Sequence, residues 1–130
     1  MNLSDLGLLL RPTFRNMVSR IPQLRGALIC TPDGFNICSV GVAENMVGKM
    51  AALSSSLQSM GDAMVSSFVW DAPADELDFI TIEAKGMQIV STAITGTQQP
   101  VVVMACARTS LGVILVTVKG ACLEIRELLK

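Results

Sequence analysis

Apolar positions recur along this chain with two periods, and the changes of period mark out its elements. Leu6, Leu9 and Leu10 share one helical face behind Ser4, which reads as the N-cap. Phe14, Met17, Val18 and Ile21 continue an apolar stripe until Pro22 ends it. Pro12 brings no backbone donor, so the pattern predicts a break there and a helix from about Pro12 to Arg20. A strand period follows, with Gly26 to Cys30 and Phe35 to Val40 flanking the turn Thr31-Pro32-Asp33-Gly34. A bulged three-residue loop fits those turn residues and places Cys30 opposite Asn36. Cys38 is then diagonal to Cys30, at roughly 7 Å, too far for an unstrained disulfide.

Gly41 to Phe68 forms the longest element. Met46, Met50, Leu53, Leu57, Met60, Met64 and Phe68 recur at spacings of four and three, a helical stripe of large side chains. A second stripe, Gly48, Ala52, Ser55, Ser59, Ala63 and Ser66, carries nothing larger than serine. A solvated face of weak helix formers would also look small, but only Glu44, Lys49 and Asp62 supply charge here. The reading adopted is two buried faces, the large residues on a sheet and the small ones against a partner helix.

Beyond a turn-rich linker at Asp71 to Asp75, Leu77 to Lys85 and Met87 to Ile94 read as strands joined at Gly86. Val101 to Ala107 is almost continuously apolar, which places it in the middle of the sheet with both faces covered. Val113 to Val118 has strand propensity. The larger window favours a helix, because Leu111, Leu115, Val118, Cys122, Ile125 and Leu129 keep a helical period. The order is helix, two strands, long helix, three strands, helix: an antiparallel sheet with helices on its faces.

Composition narrows the function. With 130 residues the chain fits one domain, 1–130, in which residues 1–11 read as an N-terminal extension. Ten basic and 11 acidic residues give a net charge of -1, which offers no footprint for nucleic acid or an anionic membrane surface. Hydrophobic residues reach 51% and charged ones 16%, more apolar surface than one small core buries, which points to self-association. No apolar run approaches the ~20 residues that a membrane-spanning helix needs. There is no histidine, which removes histidine-based nucleophile sites, histidine general bases and nearly all catalytic zinc sites. Cys30, Cys38, Cys106 and Cys122 form no C-x-x-C pair, and Met1 to Phe14 lacks the features of a secretory signal. The cysteines are therefore expected to be reduced and structural, and the protein cytoplasmic.

Candidate chemistry is sparse. Gly48-Lys49 lacks the other glycine (Ala43 stands there) and the hydroxyl (Met50) of a phosphate-binding loop. Asp71, Asp75, Glu76 and Asp78 read first as a solvated acidic connection and second as a recognition patch for a basic partner. Trp70 reads as a core or interface anchor. Thr81, Ser91 and Thr92 are the polar groups that a ligand-sensing cavity would have to use. No catalytic, cofactor-binding or metal-binding residue emerges, and no cofactor is implied.

Three stretches together resemble the Roadblock family, which includes dynein light chains of the Roadblock type and prokaryotic regulators of small GTPases. They are Ile21 to Ile29 with Pro32-Asp33-Gly34 and Ile37, the long helix rich in small residues and methionine, and Leu111-Gly112 opening an apolar final helix that runs into Glu127 and Leu128. The resemblance spans about Phe14 to Leu129. It implies an α+β, three-layer α/β/α sandwich of profilin-like topology. The sheet is five-stranded and antiparallel, in the order 2-1-5-4-3, with the long helix on one face and the terminal helices on the other. It further implies dimers whose third strands pair edge to edge and whose long helices lie side by side. The expected interface is Gly48, Ala52, Ser55, Ser59 and Ala63 of the helix with Phe79, Ile80, Thr81 and Ile82 of the edge strand. By the same resemblance the chain is a non-enzymatic homodimeric adaptor that binds a Ras-like small GTPase and modulates its GTP hydrolysis. A small-molecule sensor is the alternative.

Overall fold

The computed structural model describes residues 1–71 and 78–130. Helix α1 spans Leu3–Ser19, strands β1 and β2 span Leu24–Cys30 and Asn36–Val40, and a single 3-10 turn at Glu44–Met46 leads into helix α2, Val47–Ser66. Strands β3, β4 and β5 are Phe79–Ala84, Met87–Ile94 and Val101–Ala107, and helix α3 is Leu111–Leu128. The five strands form one sheet in the order β2-β1-β5-β4-β3, and every pair is antiparallel.

The β1–β2 hairpin follows its turn chemistry. Gly34 takes φ +92°, Thr31 Oγ1 accepts from the Phe35 amide at 3.0 Å, and Cys30 lies opposite Asn36. Ile37 is an extra residue on β2, a bulge that sets Cys38 against Ile29. All four cysteines are free. In the β3–β4 hairpin Lys85 and Gly86 both have positive φ, as a two-residue primed turn requires.

Strand β5 lies at the centre and alternates strictly. Val101, Val103, Ala105 and Ala107 join the core under α1 and α3, while Val102 and Met104 join the smaller core under α2. Ser110 caps α3, its Oγ accepting from the Val113 amide, and the segment with strand propensity lies inside that helix, held by Ile114, Val118 and Cys122. Summed over the longer window, the helical period outweighs local propensity.

Two expectations are corrected at the N-terminus. Helix α1 runs unbroken through Pro12, and its cap is Asn2 rather than Ser4, with Asn2 Oδ1 accepting from the Asp5 amide at 2.8 Å. Pro12 and Leu8 are both exposed, so water can satisfy the Leu8 carbonyl that the proline leaves without a donor. The first half of this helix belongs to the core, since Leu6 and Leu10 pack with Phe14 and Met17.

Candidate functional site

Helix α2 does not sit on the sheet as its large stripe suggests. The buried positions are Ala51, Ser54 and Gln58, and Gly61 continues that row. A methyl group at Gly61 would collide with Cδ1 of Ile80, so the glycine lets the helix backbone approach β3. Gln58 Nε2 donates to the buried Ser91 Oγ on β4 at 2.8 Å, fixing the rotation of the helix about its axis. Ser54 Oγ donates to the Met50 carbonyl at 2.8 Å, leaving no orphaned hydroxyl in the contact.

This small ridge pushes the two sequence stripes onto opposite flanks of the helix. On one flank Ala52 meets Gly34 of the β1–β2 turn, Ser55 is half-buried, and Gly48, Ser59 and Ala63 are exposed. On the other, Met50, Leu53, Leu57 and Met60 face Ile82, Ile89 and Met104 across an open groove of about 370 Å³. Leu53 is 51% exposed and Met60 59%, and exposure rises to 82% at Phe68 and 85% at Trp70. Trp70 is therefore not a core residue.

The groove opens toward β3, which among the described residues pairs only with β4 and leaves its outer edge free. Phe79 and Ile80 are half-buried, while Thr81 and Ile82 are exposed. The structure thus joins the β3 edge to the large stripe and places the small stripe on the far side of the helix. The signal for this was present in the sequence as Ala51, Ser54, Gln58 and Gly61, a third row at helical spacing in which only Gln58 is large.

The lining is almost wholly apolar. Cys106 is the one titratable group in it, and burial pushes its thiol up despite the lowering influence of Arg25. The polar groups of the sensor reading do not converge: Thr81 is exposed, Ser91 is occupied by Gln58, and Thr92 Oγ1 donates to the Asp78 carbonyl. Among the described residues no cluster of three or more acidic or cysteine side chains could hold a metal ion. Asp71 and Asp78 are exposed, and Asp75 and Glu76 lie outside the described residues. No helix among the described residues is long and apolar enough to cross a membrane.

No protein-family model matches the sequence, and neither does any curated protein. The solved structures are informative: the architecture is that of the Roadblock fold. A Roadblock/LC7 domain from Streptomyces avermitilis superposes with a TM-score of 0.70 over 87% of this chain and 91% of that one, at 18% identity. The gliding protein MglB of Thermus thermophilus matches with a TM-score of 0.74 over 99% and 92% of the two chains, at 10% identity. An MglB described as having a tetrameric arrangement matches with a TM-score of 0.72 over 99% and 91%, at 13% identity.

Proposed function

We propose that this chain is a non-catalytic, cytoplasmic homodimer that binds a Ras-like small GTPase and modulates its GTP hydrolysis. The observation that carries the reading is the uncovered apolar flank of α2 running without interruption into the open edge of β3. An exposed edge strand beside exposed Leu53, Met60 and Ile82 is an aggregation hazard unless a second copy covers it. Pairing β3 to β3 about a two-fold axis covers both features at once. In this arrangement Phe79 to Ile82 and the large stripe form the contact. The small stripe, Gly48, Ala52, Ser55, Ser59 and Ala63, is left for the GTPase or for a further copy. The tetrameric arrangement described for one MglB supports self-association of this chain. The GTPase reading is supported by the Roadblock resemblance and by the Roadblock fold shared with the MglB structures.

The test has two stages. Light scattering over a range of concentrations is expected to give about twice 13.8 kDa. A Ras-like GTPase from the same genome is then titrated with the purified dimer, and binding and phosphate release are followed in the GTP- and GDP-loaded states. A clean monomer removes the dimer reading, and a dimer without nucleotide-dependent binding removes the GTPase reading.

A further inference from the structure

The opposite edge of the sheet carries a second surface, independent of the one just described. Among the described residues strand β2 pairs only with β1, so its outer side is open. Helix α1 passes close to this edge at one point, where a methyl group on Gly7 would stand 3.3 Å from the Ile37 carbonyl. Cys38 Sγ still reaches the Gly7 carbonyl at 3.9 Å, and beyond it the edge runs on through Ser39 and Val40. A groove of about 480 Å³ lies there, between Arg11, Arg15 and Ser19 of α1 and the edge strand. It continues past Gly7 into a second hollow of about 420 Å³ that shares Arg11, Asn36 and Ile37 and ends at Leu3 and Ser4.

Arg11 and Arg15 are exposed, one helical turn apart, and neither is within ion-pair distance of a carboxylate among the described residues. Burial pushes the Cys38 thiol up, and the Arg11 charge, which reaches the strand, opposes that rise. Asn36, at the head of β2, holds its Oδ1 shielded from solvent with no donor, so turning that oxygen toward an incoming N–H breaks no existing bond.

We propose that this groove receives an extended, acidic segment of a partner protein, which lies along β2 with carboxylates on Arg11 and Arg15. The spacing favours a strand. Four helical residues rise about 6 Å, and two strand residues rise about 6.7 Å, so acidic side chains at alternate positions meet successive arginines. Backbone groups of the segment pair with the open edge at Cys38 to Val40, and the arginines select its charge. An anionic lipid or a free phosphate would satisfy the arginines and leave the strand edge unused.

The experiment uses fluorescein-labelled Val-Glu-Val-Glu-Val, read by fluorescence anisotropy on the unmodified protein. Saturable binding that weakens with added salt is expected. The Val-Lys-Val-Lys-Val peptide is expected to stay free. So is the acidic peptide with its alternate amides N-methylated, which keeps the charge and loses the ladder donors. In the R11A/R15A variant, whose changed side chains are exposed, affinity is expected to fall roughly tenfold with mass and circular dichroism unaltered. Equal binding of the lysine or N-methylated peptide, or full retention in the variant, overturns the proposal. So does capture by phosphatidylserine vesicles when the acidic peptide is ignored. Because β2 is the edge remote from β3, none of these outcomes depends on the dimer.

Discussion

Gln58 on α2 and Ser91 on β4 are joined side chain to side chain at 2.8 Å, both buried between the helix and the sheet. This bond selects which row of α2 faces inward. Removing one partner leaves the other polar group buried and unsatisfied. Gln58→Ala is therefore expected to cost about 2 kcal/mol in denaturant unfolding. The Q58A/S91A pair is expected to cost about 1 kcal/mol less than the sum of the two single changes. Strict additivity would refute the coupling.

The two flanks of α2 are separable by charge insertion. Leu53→Glu or Met60→Glu places a carboxylate in the apolar groove and is expected to shift the mass from about twice 13.8 kDa to 13.8 kDa. Glutamate at Ser55 and Ser59, on the flank of Ala52, is expected to leave that mass unchanged and to weaken GTPase binding. Monomers from the second pair alone would move the dimer contact to the small stripe.

Gly41 has φ +72°, and a methyl group there would run into the Arg25 carbonyl. Gly41→Ala combines left-handed strain with a collision against backbone that has no rotamer to yield. A loss of about 2–4 kcal/mol is expected, read from the midpoint of urea unfolding.

Burial raises the Cys30 thiol to about 11 and the Cys122 thiol to about 12. Below the ordinary thiol value both states hold the proton, and the folded protein has its full stability. Above it the unfolded chain releases protons that the folded chain still keeps, so stability falls as pH rises from about 9 through these raised values. Cys122→Val is expected to flatten that alkaline decline in thermal unfolding. At pH 8 a thiol reagent is expected to modify the half-buried Cys38 and Cys106 well before Cys30 and Cys122. Cys106 lines the groove, so the proposed dimer is expected to slow its labelling as protein concentration rises.

Much of the fold could be read from the residues. Pro32-Asp33-Gly34 specified the hairpin and the opposition of Cys30 to Asn36, and the unbroken apolar run of β5 marked the sheet centre. The candidate site was read less well, because periodicity shows that rows exist on a helix without saying which row meets which neighbour. The large stripe of α2 looked like the core face. Leu28, Val102 and Met104 already fill the sheet surface there, and the helix rests on them through Ala51 with Met50 at the margin, while Gln58 reaches down to Ser91. Pro12 misled for another reason: a missing donor is harmless where the carbonyl it strands is wet.

The two faces of the sheet are unequally bonded to their helices. Helices α1 and α3 bury many large side chains against one face, whereas α2 holds the other through a smaller core and two buried side-chain hydrogen bonds, Gln58 to Ser91 and Cys30 to the Ala51 carbonyl. The α2 layer is thus expected to be the one whose amides open first to solvent, at a lower free energy than global unfolding. A partner gripping that helix is therefore expected to tilt it more readily than the half held by α1 and α3.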